Sequence, residues 1–214
     1  MTTSRRSSRA PVAAAGAGKS AAPGRAKSAA ASGPGVLRII GGQWRRRQLA
    51  VAPVEGLRPT PDRVRETVFN WLGQHLDGLH CLDLFAGSGA LGLEAASRGA
   101  AQVTLVEADA RAARQLLAHC ETLGAGAAVQ VRRADALHFL RDAQPEHRFD
   151  VVFLDPPYAL GLLPQCLESL PRLLADDARV YVEDAAPLVA PSGWQLLRQD
   201  RAGRVHYGLV TRAA

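Results

Sequence analysis

The tetrapeptide Asp155–Tyr158, Asp-Pro-Pro-Tyr, is the segment whose residue types point most directly to a chemical reaction. It follows the apolar run Phe149–Leu154, which predicts a buried strand. Two prolines remove two backbone N–H donors, so the carbonyl of Pro156 and the carboxylate of Asp155 are left as hydrogen-bond acceptors. An exocyclic base amine offers only donors and gains positive charge when it is methylated, so acceptors suit it. Tyr158 can stack on the base plane.

We therefore predict Asp155, Pro156 and Tyr158 as catalytic residues of an amino-methyltransferase. The alternative is a proline-rich turn after a strand, with an aromatic residue there by chance. The position after an apolar strand in an alternating fold favours the catalytic interpretation.

A glycine-rich turn that opens at Asp83 is the second candidate site. Gly87, Gly89 and Gly92 match the GxGxxG spacing, in which the backbone approaches a ligand where a Cβ would collide. Glu107 lies eighteen residues past Gly89, where a carboxylate suits a ribose diol. The same pattern is typical of dinucleotide sites, so a nicotinamide-dependent oxidoreductase is an alternative.

Asp83 separates the two cofactor classes. A carboxylate beside the glycine turn repels a pyrophosphate but accepts a hydrogen bond from an amino-acid ammonium. S-adenosylmethionine carries an ammonium and no phosphate, so we predict it as the cofactor, with Asp83 and Phe85 among its contacts. Asp135, followed by Ala136, ends a third predicted strand and can accept from the adenine amine; Asp135 is equally a good helix N-cap, and the two roles are compatible.

Alternating strands and helices are predicted to position these sites. The strands are Leu79–Phe85, Gln102–Glu107, Ala128–Arg132, Phe149–Leu154 and Arg179–Glu183; the helices are Ala90–Arg98, Ala110–Leu123, Ala136–Arg141 and Leu162–Leu174. This alternation is typical of an α/β fold with a doubly wound parallel sheet. Two last strands, near Gln195–Arg198 and Val205–Val210, should add an antiparallel edge, for seven strands in all.

A small β-hairpin is predicted at residues 36–56, before a main domain at 57–214. Its strands, Val36–Ile40 and Gln48–Val51, are joined through Gly41-Gly42 and a basic turn. The main domain should begin with a helix that has Thr60 as N-cap and Pro61 as its first residue. The apolar residues of that helix share one face and leave Arg63 on another; they are Val64, Val68, Trp71 and Leu72.

Positive charge is concentrated in the first third of the chain. Residues 1–35 hold six basic and no acidic residues, 36–66 hold seven and three, and 67–214 hold thirteen and seventeen. This layout suits a polyanion bound at one end of the protein. The turn Arg45-Arg46-Arg47 beside Trp44 is a candidate for RNA phosphates, although a solvated basic turn remains open. We predict a disordered basic tail at 1–35, with a transit peptide as the alternative.

The remaining composition indicates an ordinary intracellular protein. Cys81, Cys120 and Cys166 are scattered and fit reduced thiols, and we expect no metal site. No apolar run approaches the roughly 20 residues that span a bilayer. We expect a cytoplasmic monomer that does not bind a membrane.

With these residues identified, the chain resembles the RsmD family, the bacterial small-subunit rRNA guanine-N2 methyltransferases. The resemblance covers about residues 36–212, and it is carried by Arg38–Gly42, Leu57–Thr60, Asp62–Thr67, Phe69–Leu72, Asp83–Leu93 and Asp155–Tyr158. Many amino-methyltransferases share the DPPY tetrapeptide. The pattern RPTxDRVRET followed by FNWL is much narrower and indicates this family.

The resemblance implies a class I (Rossmann-like) S-adenosylmethionine methyltransferase fold with a small N-terminal hairpin. It implies a substrate as well: the guanine conventionally numbered 966 of 16S rRNA, within an assembled or nearly assembled small ribosomal subunit. It places the cofactor at Gly87, Gly89, Glu107 and Asp135, and the base at Asp155 and Tyr158. The segment Arg58–Asn70 would close over the site, with Arg58 and Thr60 at the cofactor, and Arg38, Arg45 and Arg63 would contact RNA.

Three rival classes share some of these features. DNA amino-methyltransferases usually carry a target-recognition domain, for which this chain has no spare segment. Protein-glutamine methyltransferases typically begin the tetrapeptide with Asn and carry a helical N-terminal domain, whereas Asp155 and a hairpin stand here. A non-catalytic RNA-binding module would keep the basic end without needing the cofactor turn.

Overall fold

The structure is a computed structural model that describes residues 35–51 and 60–213. Almost all of the predicted basic tail and the predicted cofactor residue Arg58 lie outside the described residues. Within the described residues, no helix has the length and apolar character needed to cross a membrane.

The described elements follow the order that the alternation predicted. The strands are β1 (Gly35–Arg38), β2 (Gln48–Val51), β3 (His80–Asp83), β4 (Gln102–Glu107), β5 (Val129–Arg133), β6 (Phe149–Leu154), β7 (Leu174–Asp184), β8 (Trp194–Ala202) and β9 (Val205–Arg212). The α-helices are α1 (Asp62–Leu72), α2 (Gly92–Ser97), α3 (Ala110–Leu123), α4 (Ala136–Asp142) and α5 (Leu163–Ser169).

Seven of these strands form one sheet in the order β5-β4-β3-β6-β7-β9-β8. The five strands from β3 to β7 are parallel, and β9 pairs antiparallel with both β7 and β8. The predicted doubly wound sheet with an antiparallel edge is therefore confirmed. The strand order reverses between β3 and β6, and in such sheets the crevice at the carboxyl ends of those strands is where ligands bind.

Apolar layers cover both faces of this sheet, which is why its parallel strands are buried. On one face, residues such as Leu37, Phe69 and Leu93 join the hairpin, α1 and α2 to the sheet. On the other face, residues such as Leu140 and Leu167 pack α4 and α5 against it. The separate two-stranded sheet pairs β1 with β2 antiparallel, which confirms the predicted hairpin.

Several predicted bounds are wrong: α2 begins at Gly92 rather than at Ala90, and β7 begins at Leu174 rather than at Arg179. Two further helix errors have a local cause. Helix α5 ends at Ser169 rather than at Leu174, because Pro171 starts a short 3-10 turn and β7 begins directly after it. Helix α1 begins at Asp62 with Pro61 as its N-cap, so Thr60 is not the N-cap, and no side chain caps this end.

The Asp62 carboxylate is instead bound by two arginines. Its Oδ1 accepts from Arg65 Nη2 at 2.6 Å, and its Oδ2 accepts from Arg38 Nε at 3.2 Å. Arg65 is almost fully buried and also donates to the Arg38 carbonyl at 2.8 Å and to Glu94 Oε2 at 3.3 Å. A charged residue of α1 thus ties this helix to the hairpin and to α2.

Glu94 is the fully buried partner at the centre of this network. It accepts from the backbone N–H groups of Ile40 and Gly41 at 2.8 and 2.7 Å, and from Arg98 Nε at 2.8 Å. A buried carboxylate is tolerated only when such donors compensate its lost hydration. The hairpin is therefore held against α2 by hydrogen bonds to a buried carboxylate, as well as by apolar packing.

Candidate active site

A cavity of about 760 Å³ opens at the carboxyl ends of the parallel strands, where the strand order reverses. It collects predicted residues from five different segments of the chain. The predicted residues that line it are Thr60, Asp83, Phe85, Gly87, Glu107, Asp135, Ala136, Asp155, Pro156 and Tyr158. The predicted cofactor turn and the predicted base site therefore belong to one cavity.

Gly89 is not part of the cavity lining, although it belongs to the same turn. It has a φ of +86°, and a Cβ there would lie 2.6 Å from Leu93 Cδ1 and 2.8 Å from Leu116 Cδ2. The left-handed backbone, together with this packing, is thus a sufficient reason for glycine at this position. Contact between Gly89 and the cofactor stays a prediction.

Carboxylates hold the glycine turn in shape. Asp83 Oδ2 accepts from the Gly92 N–H at 2.9 Å, and Glu107 Oε2 accepts from the Gly87 N–H at 2.8 Å. The other oxygen of Glu107 accepts from the Asp109 N–H at 2.7 Å. Each carboxylate oxygen has a second lone pair, so these bonds leave Asp83 and Glu107 able to accept from a ligand too.

The electrostatics of Asp83 favour a cationic ligand. Its side chain is 2% exposed, and burial, helped by the negative charge of Glu107, raises the pKa of its carboxyl to about 7, while the Gly92 N–H works in the opposite direction. A cation with N–H donors would stabilise the ionised form. The ammonium of an amino acid has both properties.

The charge of the whole cavity points the same way. Its lining includes six carboxylates, Asp83, Glu107, Asp109, Asp135, Asp155 and Glu183, and no Lys, Arg or His among the described residues. A pyrophosphate would lie in a strongly negative field here. The residues present thus fit S-adenosylmethionine, with its sulfonium and ammonium, better than a nicotinamide dinucleotide.

Asp135 caps helix α4, as the sequence predicted. Its Oδ1 accepts from the His138 N–H at 3.0 Å, which is the usual N-cap geometry. Asp135 and Ala136 both line the cavity. A contact with the adenine amine is compatible with this cap and stays a prediction.

The Asp-Pro-Pro-Tyr segment directly follows β6 at the cavity edge. The hydroxyl of Tyr158 donates to Glu183 Oε2 at 2.9 Å, and 39% of the Tyr158 residue surface is exposed. Burial raises the pKa of Asp155 well above its usual range, and the negative charges of Glu183 and Asp83 add to this effect. An acceptor carboxyl and an accessible aromatic ring therefore share the mouth of the cavity.

Glu183 is the site residue that the sequence reasoning missed. It is buried, lines the cavity and accepts from the hydroxyls of both Tyr158 and Tyr181. The sequence did contain a signal for this residue, since the predicted strand Arg179–Glu183 ends in a carboxylate. The carboxyl ends of parallel strands meet at one edge, so this residue could have been placed beside the other acids.

The predicted RNA-contacting arginines lie outside this cavity. Arg38 is held by Asp62, and Arg47 Nη2 donates to the Thr122 carbonyl at 2.8 Å. Arg45 and Arg46 are exposed on the hairpin turn, and Arg63 is exposed on α1. Arg45 also lines a second, polar cavity of about 440 Å³. Contact between these five arginines and RNA stays a prediction.

Within the described residues, no group of three or more potential metal-ligating side chains stands together. Cys81, Cys120 and Cys166 are all free thiols, and burial is the main cause that raises the pKa of each.

The sheet order and the cavity at its switch point are those of class I S-adenosylmethionine-dependent methyltransferases. A family model described as "Conserved hypothetical protein 95" matches residues 37–211. With this match and the relatives below, the chain belongs to the RsmD family, as the resemblance predicted.

Several curated relatives bear the name "Ribosomal RNA small subunit methyltransferase D". The one from Escherichia coli strain K12 is 49% identical over 189 residues, which cover 86% of this chain and 93% of the relative. The one from Haemophilus influenzae is 45% identical over 180 residues, with 82% and 93% covered.

Solved structures of similar proteins support the same fold and family. A putative methyltransferase, yhhF, from Escherichia coli has a TM-score of 0.73 at 46% identity, with 83% of this chain and 98% of that chain covered. A putative methylase, HI0767, from Haemophilus influenzae has a TM-score of 0.72 at 41% identity, with 84% and 100% covered.

Proposed function

We propose that this protein transfers the methyl group of S-adenosylmethionine to the exocyclic N2 of a guanine in 16S rRNA. The proposed target is position 966 in an assembled or nearly assembled small ribosomal subunit. One observation carries the methyl-transfer chemistry: the acceptor-rich segment Asp155–Tyr158 lies at the mouth of a carboxylate-lined cavity that suits a sulfonium cofactor. The names of the curated relatives support ribosomal RNA as the substrate.

When bound, S-adenosylmethionine would supply an electrophilic methyl group, and the cavity residues would orient it. Asp83 would accept from the ammonium, Glu107 from the ribose hydroxyls and Asp135 from the adenine amine. The backbone of Gly87, which has a φ of +52°, would allow close approach. Thr60 lines the cavity at the start of α1 and would contact the same ligand, as we propose for Arg58.

Asp155, Pro156 and Tyr158 would hold the base. The Asp155 carboxylate and the Pro156 carbonyl would accept the two hydrogens of the N2 amine, which aims the nitrogen lone pair at the methyl group, while the Tyr158 ring stacks on the base. Holding reactants in line contributes on the order of 7–11 kcal/mol to lowering a barrier. The raised pKa of Asp155 also makes its carboxylate a stronger acceptor for the proton that the methylated nitrogen loses.

The exposed arginines Arg45, Arg46 and Arg63 would contact RNA phosphates. Arg38 and Arg47 hold protein partners, so we expect them to contribute less to RNA binding. Phosphate contacts of this kind strengthen binding without reading sequence. We propose that the protein does this work in the cytoplasm as a monomer.

The test is a methylation assay on small ribosomal subunits that lack the modification, with S-adenosylmethionine labelled in its methyl group. We expect label in 16S rRNA at one guanine, recovered as N2-methylguanosine after digestion to nucleosides. Label in another base, or in ribosomal protein, would contradict the proposed function. A DNA duplex and a protein substrate run in parallel test the two rival classes, and neither should be labelled.

A further inference from the structure

Asp155 directly follows β6, and Glu183 lies at the matching position of the neighbouring parallel strand β7. The register of β6 and β7 pairs Leu154 with Val182, and Asp155 and Glu183 are the residues that follow this pair. Adjacent strands lie about 4.8 Å apart, so the two residues stand side by side at the carboxyl edge of the sheet. Both line the cavity. The base site therefore has a second carboxylate beside the one in the Asp-Pro-Pro-Tyr segment.

Glu183 is fixed in orientation by two phenols. Its Oε2 accepts from Tyr158 at 2.9 Å, and its Oε1 accepts from Tyr181, which is buried two residues earlier on the same strand. Residues two apart on a strand share a face, so the Tyr181 hydroxyl can reach Glu183 and position its carboxylate. A carboxylate oxygen can accept a second hydrogen bond, so this support is compatible with contact to a ligand.

A second carboxylate beside the amine acceptor distinguishes among the bases. Guanine places the N1–H donor next to its N2 amine, so its edge presents adjacent donors. Adenine and cytosine place an unprotonated ring nitrogen, which is an acceptor, next to their amines. A carboxylate facing that nitrogen would meet a lone pair, and an unpaired acceptor in a buried site is costly.

We propose that Glu183 selects guanine by accepting its N1–H while Asp155 and the Pro156 carbonyl hold the N2 amine. This inference rests on the proposed function, and it adds the residue that distinguishes guanine from the other amino bases. Tyr158 would then have two tasks, stacking on the base and holding Glu183 through its hydroxyl.

The experiment compares two target bases and two proteins. Small subunits are reconstituted with 16S rRNA that carries either guanosine or 2-aminopurine riboside at the methylated position. 2-Aminopurine keeps the C2 amine but has an acceptor at N1. We expect wild-type protein to prefer guanosine about 10- to 100-fold in kcat/KM. In Glu183→Gln, whose amide can donate to N1, we expect this ratio to fall at least about fivefold while S-adenosylmethionine affinity changes little.

The ratio of kcat/KM for guanosine to that for 2-aminopurine shows whether Glu183 selects the base or has only a structural role. If Glu183→Gln slows both substrates equally, so that the ratio is unchanged, the inference is overturned while the proposed function stands. If wild-type protein methylates neither substrate, the proposed function falls and this inference falls with it.

Tyr181→Phe is the matched control, because it removes one phenol and keeps the carboxylate, and it should keep the ratio. If Glu183→Gln does not fold, Glu183→Asp serves: it should lose rate and keep the wild-type ratio, and a lost ratio would overturn the inference.

Discussion

The Tyr158 hydroxyl lies 2.9 Å from Glu183 Oε2, which joins the last residue of the Asp-Pro-Pro-Tyr segment to the buried end of the next strand. This bond gives the phenol a role besides stacking. Phenylalanine at the same position would stack equally well but would not anchor the ring.

We expect Tyr158→Phe to lower the rate of methyl transfer several-fold, because the ring keeps its aromatic face and loses its anchor. Tyr158→Ala should lower the rate further, since base stacking on an aromatic side chain contributes about 1–3 kcal/mol. Single-turnover assays at saturating cofactor measure both. Equal losses in the two variants would mean that the ring contributes no stacking.

Removal of the Arg65 side chain should be strongly destabilising. Arg65→Ala leaves the buried carboxylate of Glu94 with less compensation, and breaking a buried pair costs about 3–5 kcal/mol. Chemical denaturation measures the free energy of unfolding. The matched control is Arg141→Ala, which removes an exposed arginine paired with Asp142 and should leave stability nearly unchanged. Similar losses in the two variants would contradict the structural role of the Arg65 network.

Cofactor affinity should depend on pH through Asp83. Its pKa is raised to about 7 in the free protein, mainly by burial, and an ammonium ligand requires the ionised carboxylate. Binding therefore releases a proton, and affinity should fall as the pH drops below about 7 and level off above it. Calorimetric titration from about pH 5.5 to about 7.5 measures this, because the α-amino group of the ligand stays mostly protonated in that range. Asp83→Asn should bind weakly with a flat profile, and a pH-dependent Asp83→Asn variant would refute the assignment.

The raised pKa of Asp83 has the opposite effect on folding stability, which falls as the pH rises. The Asp83 carboxyl has an ordinary pKa of 3.8 and a native pKa of about 7, so between these values the native state binds the extra proton. The contribution of Asp83 to stability is therefore greatest below pH 3.8 and is lost as the pH rises through about 7. Asp83→Asn should flatten this part of the stability profile of the cofactor-free protein, as measured by denaturation.

Neutralising Arg45, Arg46 and Arg47 together should weaken RNA binding and reduce its dependence on salt. Each phosphate contact contributes about 0.7–0.9 to the slope of log affinity against log salt. Binding to unmodified small subunits is measured over a range of potassium concentrations, with Arg141→Ala as the exposed control. A slope equal to that of wild-type protein would mean that the turn is solvated and does not contact RNA phosphates. Because Arg47 also bonds to Thr122, folding of the triple variant is checked separately.

Local signals were sufficient for much of the fold. Helix α3 was predicted with the observed bounds, since Asp109 caps its start and Gly124 ends it with a φ of +64°. Strands β4 and β6 were likewise predicted with the observed bounds, because each is a mostly apolar segment that ends at or just before an acidic residue. Much of the cavity also followed from sequence, since parallel strands bring their carboxyl ends together.

The sequence could not show which charges are buried. Arg65 lies between Val64 and Glu66 in a charged helix, and only packing of the hairpin against α2 makes it a buried partner of Glu94. The sequence likewise did not show that Arg38, predicted to contact RNA, pairs with Asp62. Such pairings join residues 24 or more positions apart, which helical or strand periodicity does not detect.

Asp155→Ala tests the central claim most directly. Methyl transfer to small subunits and S-adenosylmethionine affinity are measured on the same preparation, with Asp142→Ala as the control for loss of an exposed aspartate. We predict that transfer by Asp155→Ala is nearly abolished while cofactor affinity stays within a few-fold, because Asp155 holds the base amine. Retention of full transfer activity by Asp155→Ala would contradict the account.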